Sequence, residues 1–551
     1  MIKPLKPPRR AAVAVPLLAA ALLALSGCGE SPPQTAEPAG QAPEPAKPPP
    51  EQKEDKLSLH WMIAIPSSGP SLPTGGKDFI KKAIEDKFKV DIKLDYMPMG
   101  DMYTSKLNEL LASDNAPDLF HADGSKSYGY IVDGDAADLS YYVTPQNMPN
   151  YFKWVTQDEL RRYQVHHTFK RAPVPFSKAY YGAYYVRKDW IDALNRKDPA
   201  LNLKVPTNYD EMIAVMKAFT FGDPDGNGKN DTYGYTTTGS GMAIPNDMPQ
   251  WFKNGLTPGF FIDEVNRFVD SGTNKRTAKV LDDIRDMMNM KIIDPDWFKN
   301  KAGENISKVQ QGKVGIFFSN VRDIAFDHSN GSVQKKMREM TGGENVAFEA
   351  FHIAGDIPVA YAPLPGIPFL IGAKTSEAKA RRTIEILDYL ASPEGWLLAN
   401  VGKENVHYKK EGNRITLIPE AIQKDIVANG HFTEVWGSAF SYKVKDPSPI
   451  GLELVDPRET EHDRAILRLF KSLKLYELGT NVAPPPGLDI GAYRKEMRAM
   501  HVKTLFEDQN SAKWPVYMAE LLEAHKGKAI FETYAQQMTN ALGRKITFSP
   551  D

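Results

Sequence analysis

Strand-like and helix-like segments alternate at the start of the body of this chain, and this alternation constrains the fold most strongly. Leu57–Ile63 is predicted to be a strand, and apolar residues then recur at helical spacing over Lys77–Lys89. Val90–Tyr96 alternates apolar and polar residues like a half-buried strand, Asp101–Ser113 is helical, and Pro117–Phe120 begins another strand. Repeated βαβ units of this length predict open, doubly wound α/β sheets.

A second run of the same kind follows near Tyr184. Thr207 is the predicted cap of a helix with acidic residues in its first turn. A helix is also predicted over Arg276–Met290, an apolar strand over Val314–Phe318, and a long helix over Glu377–Leu390. The last hundred residues are predicted to be mainly helical. The body of 495 residues, from Leu57 to Asp551, is too long for one ordinary core and suits two large lobes.

The first 28 residues have the order of a secretory signal. Four cations precede an apolar run of about 15 residues, which ends at Leu25-Ser26-Gly27-Cys28. This tetrapeptide resembles the bacterial lipobox, in which the Cys becomes the lipidated first residue of the mature protein. The apolar run is shorter than the ~20 residues of a membrane-spanning helix. Cys28 is the only cysteine, so it forms no disulfide within the chain and is predicted to be a lipid anchor; the alternative is an ordinary signal with an accidental cysteine.

Residues 29–56 form a predicted disordered linker. They are rich in Pro, Ala, Glu, Gln and Lys and have almost no large apolar side chain to offset the entropy of folding. Without the four cations of the signal, 64 Lys and Arg face 69 Asp and Glu, a net charge of −5. A chain without a basic excess is unsuited to nucleic acid, because it would displace few phosphate counterions.

The sharpest local motif is the loop Asp223–Asp231. Side-chain oxygens fall at the first, third, fifth and ninth positions of an EF-hand-type loop, from Asp223, Asp225, Asn227 and Asp231. Gly228 takes the sharp-turn position and Lys229 would offer its backbone carbonyl. The pattern departs from an EF-hand at the twelfth position, where Gly234 replaces the bidentate Glu. A structural Ca²⁺ site is predicted, and the alternative is a metal-free turn of Asx and Gly residues.

Four segments in a fixed order resemble the extracellular solute-binding proteins that include maltose-binding protein. They are Pro117–Phe120 running to Ala137-Asp138-Leu139, then Tyr184–Trp190 followed by Val205-Pro206-Thr207, then Gln311–Ile316, and last Leu387–Gly395. Each motif is weak alone, but together they cover most of the body. The chain looks closest to the large lipoprotein subgroup with the alginate-binding proteins, which carry a similar calcium loop.

The resemblance implies a two-lobe, type II periplasmic-binding-protein-like fold, with each lobe an open sheet flanked by helices and a hinge of several segments. Lobe 1 is expected to comprise 57–182 plus about 366–440, and lobe 2 to comprise 183–365 plus about 441–551. The chain would cross at Ala179–Ala183, return at Leu364–Pro368 and cross again near 440. Crossings of this kind permit a bending motion that closes the lobes over a ligand.

The implied function is ligand capture for an ABC importer, by a monomer tethered to the outer face of a bacterial membrane, without catalytic residues. A neutral or an acidic oligosaccharide would lie between the lobes and pass to a membrane permease. Lys126 and Arg322 suit the carboxylate of an acidic sugar. Aromatic faces and hydrogen-bonding groups suit sugars. The candidate ligand-binding residues are Trp61, Asp123, Lys126, Tyr128, Tyr181, Asn320, Arg322 and Trp436. For each aromatic residue core packing is the alternative, and for each charge a solvated side chain.

The main rival is a lipid-anchored, secreted glycan-degrading hydrolase. The sequence has no His-Glu-x-x-His motif and no Gly-x-Ser-x-Gly elbow. A pair of carboxyl groups for glycoside cleavage need not be close in sequence, so 69 acidic residues leave this alternative open. A structural surface adhesin is disfavoured by the βαβ pattern.

Overall fold

The computed structural model describes residues 56–551 apart from 125, 165–167, 176–179, 342–344, 362–366, 442–445, 477–479 and 481. The predicted signal with Cys28 and the predicted linker, apart from Lys56, therefore lie outside the described residues. In the described part, the strands are β1 Leu57–Ile65, β2 Val90–Pro98, β3 Leu119–His121, β4 Ala172–Pro173, β5 Ala183–Arg187, β6 Tyr233–Thr236, β7 Phe260–Ile262, β8 Arg267–Asp270, β9 Val314–Ser319, β10 Phe348–Phe351, β11 Ala360–Tyr361, β12 Pro368–Ile371, β13 Tyr408–Glu411, β14 Arg414–Leu417, β15 Glu453–Val455, β16 Leu475–Tyr476 and β17 Thr547–Phe548.

The α-helices contain more of the described residues than the strands do. They are α1 Phe79–Phe88, α2 Asp101–Leu111, α3 Ser127–Val132, α4 Gln157–Arg162, α5 Lys188–Lys197, α6 Tyr209–Phe221, α7 Gln250–Lys253, α8 Thr277–Asn289, α9 Glu304–Gln310, α10 Val333–Thr341, α11 Glu377–Ala391, α12 Pro393–Asn400, α13 Pro419–Asp425, α14 Thr433–Phe440, α15 Glu461–Ser472, α16 Ile490–Phe506, α17 Trp514–Glu523 and α18 Gly527–Leu542. The cap of α6 is Asn208, not the predicted Thr207, because the Asn208 side chain accepts the Glu211 backbone N–H.

The first sheet has the strand order β2-β1-β3-β12-β4. Strands β1, β2 and β3 are parallel, while β12 runs antiparallel to both β3 and β4. Strand β1 is buried continuously from Leu59 to Ile65, apart from a small exposed fraction of His60, as expected for a central strand covered on both faces. We call the edge where β1, β2, β3 and β4 end the carboxyl edge of sheet 1; β12 begins there.

The second sheet has the order β10-β5-β9-β6. Strands β6 and β9 are parallel, and β5 runs antiparallel to β9 and to β10. Ala183 at the start of β5 lies opposite Ser319 at the end of β9, and Tyr184 lies opposite Phe351 at the end of β10. We call the edge where β6, β9 and β10 end the carboxyl edge of sheet 2.

Two connections join these carboxyl edges, and the second of them contains β11, which pairs with β16. The chain leaves sheet 1 at the end of β4 and enters sheet 2 at the start of β5, with nine residues in between. It returns from the end of β10 to the start of β12. Nine extended residues span at most about 30 Å, so the two edges lie near each other. The predicted crossings at Ala179–Ala183 and Leu364–Pro368 include Ala179 and residues 364–366, which the structure does not describe, and they stay predictions.

The third crossing lies later in the chain than expected. Strand β15 pairs with β14, and Ile450 and Leu452 pack in the core beneath sheet 1. Ile466 and Phe470 of α15 pack instead with Phe317 and Phe348 of sheet 2. The boundary predicted at about 440 is therefore wrong for residues 446–455, and we place this crossing between Val455 and α15.

Candidate ligand-binding and metal sites

The buried side chain of Arg171 supports the loop that follows β3 at the carboxyl edge of sheet 1. The Arg171 side chain is 5% exposed. Its Nη1 donates to the Gly124 carbonyl at 2.8 Å and to the Ser127 hydroxyl at 2.6 Å, and its Nε donates to the Tyr163 carbonyl at 2.7 Å. The guanidinium lies over the Tyr163 ring, 4.4 Å from its centroid. These contacts fix the loop 122–128, apart from the undescribed residue 125, in one position.

Three predicted ligand-binding residues belong to this loop. Asp123 is half-buried and accepts the Lys126 backbone N–H at 3.4 Å. The Lys126 side chain reaches α2, where Nζ lies 3.4 Å from Asp101 Oδ1 and 3.3 Å from the Thr104 hydroxyl. Tyr128 has 41% of its surface exposed. The loop thus presents a carboxylate, a paired cation and an aromatic ring at one edge.

Sheet 2 presents the other predicted polar residues at its carboxyl edge. Asn320 directly follows β9 and is exposed. Arg322 donates to Glu459 Oε1 at 3.4 Å and lies over the Phe326 ring, 5.2 Å from its centroid. Tyr181, just before β5, is half-buried and packs edge-on against Phe470, with ring centroids 5.5 Å apart.

A polar cluster at the same edge was missed by the sequence analysis. The hydroxyls of Tyr184 and Tyr235 both donate to the Asp247 carbonyl at 2.8 Å, and the Thr237 hydroxyl donates to the Asp247 carboxylate at 2.7 Å. Desolvation by burial raises the pKa of Asp247. The cluster holds the loop after β6, which carries the exposed Met242. No sequence motif marks these residues, because strand pairing brings them together.

Two predicted ligand-binding residues are core residues instead. Trp61 and Trp436 have no exposed surface. The Trp61 Nε1 donates to the Thr383 hydroxyl at 3.4 Å, and the Trp436 Nε1 donates to Asp78 Oδ2 at 2.8 Å. Because their indole faces pack against the core beneath sheet 1, the prediction that they contact a ligand is wrong.

Acidic and imidazole groups also meet at the start of α15. Asp327, His462 and Asp463 bring one potential ligand atom each within 4.8 Å of one another. Their carboxylates already have donors: Asp327 accepts from Arg338 at 2.7 Å and from Thr460 at 2.6 Å. Asp463 accepts the backbone N–H groups of Asp327 and Thr460. This cluster stabilises the helix start and the third crossing.

The predicted calcium loop brings its carboxylates together. The Asn227 side-chain N–H₂ donates to Asp225 Oδ2 at 2.9 Å and to Asp231 Oδ1 at 3.0 Å. Both oxygens of Asp223 accept the Gly228 backbone N–H, at 3.2 and 3.3 Å. Desolvation and the neighbouring carboxylates of Asp231 and Asp223 raise the pKa of Asp225. An oxygen-rich loop whose carboxylates repel one another fits a hard cation such as Ca²⁺.

The residues around the calcium loop limit which other groups can bind the ion, and the position of the loop places the ion away from the carboxyl edge of sheet 2. A Cβ at Gly234 would lie 2.4 Å from the Met216 Cβ, so this position accepts no glutamate side chain. The loop leads directly into β6, at the end of sheet 2 opposite the carboxyl edge; the four-residue strand separates the two by about 13 Å. A pocket of about 440 Å³ lies beside the loop, lined by residues that include Lys197, Phe221 and Asp223.

Within the described residues, no helix has the length and apolar character needed to cross a membrane.

Comparisons with known proteins agree with this architecture. The polygalacturonan/rhamnogalacturonan-binding protein YtcQ of Bacillus subtilis (strain 168) is 25% identical over 392 residues, which cover 68% of this chain and 71% of YtcQ. An HMO-binding, ABC-transporter-associated solute-binding protein from Bifidobacterium longum infantis ATCC 15697 superposes with a TM-score of 0.67 at 14% identity, covering 88% of this chain and 99% of that chain. The alginate-binding protein AlgQ2, in a structure without calcium ion, gives a TM-score of 0.61 at 16% identity, covering 89% and 99%.

These likenesses confirm the predicted two-lobe, type II α/β fold. The model of one protein family also matches residues 79–399, which is more than half of the chain and includes sheet 2 and every strand of sheet 1 except β1. The chain belongs to the bacterial extracellular solute-binding proteins.

Proposed function

We propose that the protein is the extracytoplasmic capture subunit of an ABC importer and that it binds an oligosaccharide between the carboxyl edges of sheets 1 and 2. The observation that carries this proposal is the connection of those two edges by two chain crossings. Segments placed in this way act as a hinge, and bending them brings both edges onto one ligand. Open α/β sheets bind ligands at the carboxyl ends of their strands.

Residues at these edges suit a sugar. Tyr128 and Tyr181 supply aromatic faces, and Asp123 and Asn320 supply groups that bond hydroxyls. The relatives support the ligand class, since YtcQ, AlgQ2 and the Bifidobacterium protein are named for saccharides that they bind. The loaded protein would then dock, as a monomer, on the membrane-spanning subunits of a permease.

Ligand binding is tested with the edge residues themselves. The change Tyr128→Ala is expected to weaken binding of the sugar about tenfold, because a lost aromatic face costs roughly 1–1.5 kcal/mol. Calorimetry on a saccharide identified by a thermal-shift screen measures this. Tyr141→Ala is the matched control: Tyr141 is 80% exposed and follows residue 136, which pairs with Gly372 at the opposite edge of sheet 1.

Two further measurements on the same sample separate capture from hydrolysis. Small-angle scattering should show a smaller radius with the sugar than without it, because the lobes close. Mass analysis should recover the sugar intact after long incubation. A saturated protein with an unchanged radius contradicts closure, and cleaved sugar would favour the glycan-degrading hydrolase.

We further propose that Ca²⁺ binds the loop of Asp223, Asp225, Asn227, Lys229 and Asp231, with Lys229 contributing its carbonyl. The Asn227 amide would turn its oxygen toward the ion, since its N–H₂ now faces two carboxylates. Because the loop lies at the end of sheet 2 away from the carboxyl edge, the role of the ion would be structural. It would hold α6 against β6 and would not touch the sugar.

The proposed location is the outer face of a bacterial membrane, with Cys28 as the lipid anchor. The change Cys28→Ala is expected to release the protein from the membrane fraction into the soluble extracytoplasmic fraction, because a single cysteine at a lipobox-like end is the acylation site. Fractionation and mass analysis of the mature first residue check it. A Ser26→Ala variant, which keeps the cysteine, should stay with the membrane; equal release of both variants would point to another anchor.

A further inference from the structure

We infer that the ligand is an uncharged oligosaccharide and that the two carboxyl edges select against uronic acids. This inference rests on the proposed saccharide-binding function and names the ligand class of the same site. It differs from the acidic ligand suggested by Lys126 and Arg322, and from the polyuronate ligands after which YtcQ and AlgQ2 are named. The inference is based on the charged residues in the loops at the two carboxyl edges.

The loops that leave the carboxyl edge of sheet 1 contain few cations. In their described part, Lys77 donates to the Asn429 side chain at 3.1 Å, and Lys126 pairs with Asp101 at 3.4 Å. Arg171, beneath the loop after β3, is buried and uses its guanidinium on two carbonyls and a hydroxyl. The one lysine in the loop after β3 is therefore already paired with a carboxylate of the protein, that of Asp101.

The corresponding loops of sheet 2 are also acidic. In their described part, the loop after β6 has no cation, and the loop after β9 has Arg322, which is paired with Glu459 from the third crossing. Asp247 and Asp323 lie in these two loops and accept hydroxyl groups of neighbouring side chains. Among the described residues of these loops, Lys126 and Arg322 thus already have anionic partners and Lys77 has a neutral one, and the carboxyl groups outnumber the cations.

A uronate between such edges would meet repulsion in a site from which closure removes water. An ionised carboxylate that leaves water needs an unspent cation to offset its lost hydration. Carboxylates of the protein repel it more strongly as the local dielectric falls. Neutral sugars are instead attracted to the same carboxylates, because each sugar hydroxyl is a hydrogen-bond donor and the Asp side chains are acceptors.

Matched probes test the charge of the ligand. The panel consists of neutral gluco-, manno-, fructo- and galacto-oligosaccharides, of oligogalacturonate and oligoalginate, and of fully methyl-esterified oligogalacturonate, which keeps the ring and loses the charge. We expect the binders to be neutral, with a Kd that changes less than twofold between 20 and 500 mM NaCl. Binding of a uronate that weakens tenfold or more over this salt range overturns the inference and leaves the saccharide function intact. Absence of any saccharide binder sinks the proposed function, and the inference with it.

A gain-of-binding variant tests the mechanism of selection. Asp101→Asn with Glu459→Gln removes the partners of Lys126 and Arg322. The double variant is expected to bind oligogalacturonate at least tenfold more tightly than the unchanged protein. The control is Asp86→Asn with Glu461→Gln, which removes two exposed carboxylates from pairs on α1 and α15. An equal gain in both variants means that net charge, and not the edges, sets the preference and contradicts the proposed selection.

Discussion

Replacing Arg171 with Leu is expected to lower the free energy of unfolding by about 3 kcal/mol and to weaken sugar binding at least tenfold. The change leaves the buried carbonyl of Tyr163 without its donor, and an unsatisfied buried group costs about 1–3 kcal/mol. The Gly124 carbonyl loses one of its two donors and keeps the Ser127 hydroxyl. The Ser127 hydroxyl also loses the guanidinium N–H that it accepts from Arg171. Since Asp123 and Tyr128 belong to that loop, a mobile loop would weaken the ligand contacts that we propose for them.

Two companion variants make this result interpretable. Arg171→Lys keeps the charge but not the forked geometry, so it should retain part of the stability and still weaken binding. Arg468→Leu is the control, because Arg468 is 62% exposed and pairs only with Glu461 among the described residues. Urea unfolding and calorimetry measure the two effects separately. Full affinity in the Lys variant would show that the guanidinium does not position the loop.

Removing calcium is expected to lower the melting temperature. An ion that binds only the folded state adds about 2.7 kcal/mol of stability at a hundredfold excess over its Kd. Asp223→Asn with Asp225→Asn should abolish both the ion and the sensitivity to chelator. The control, Asp210→Asn with Asp286→Asn, removes two exposed carboxylates from the same lobe. A calcium-loaded protein whose melting temperature is unchanged by chelator would contradict the structural role.

The pH dependence of the calcium effect follows from Asp225. Its pKa is raised in the metal-free fold, first by desolvation and then by its carboxylate neighbours. A raised carboxyl pKa favours the folded state at low pH, and this contribution is lost as pH rises through that pKa. Calcium binds the loop only when its carboxyl groups are ionised, so the stability that calcium adds increases as the pH rises. The drop in melting temperature caused by chelator should therefore grow from acidic to neutral pH.

Local patterns predicted the helices and strands closely. The helix expected over Lys77–Lys89 is Phe79–Phe88, and the one expected over Arg276–Met290 is Thr277–Asn289. Their apolar spacing depends only on neighbours in sequence, which explains the agreement. The ordered family motifs also led to the correct fold class, although no single motif was specific.

The aromatic residues of the site could not be predicted in this way. Trp436 and Tyr128 look equally suited to a sugar in sequence, yet one is sealed in the core and the other is 41% exposed. Burial depends on which helices cover each strand, and that is a property of the whole fold. The Asp247 cluster was missed for the same reason, since Tyr184 and Tyr235 meet it through strand pairing.

The position of β12 in sheet 1 has a consequence for the order in which the protein assembles. This strand lies between β3 and β4, although about 250 residues separate it from β3 in sequence. Until Phe369–Ile371 arrives, β3 has an unpaired edge and the first lobe has no complete sheet. Pairing over so long a separation is slow. The first sheet is therefore completed only after about two thirds of the chain has been synthesised, so the first lobe cannot finish folding before much of the second lobe exists.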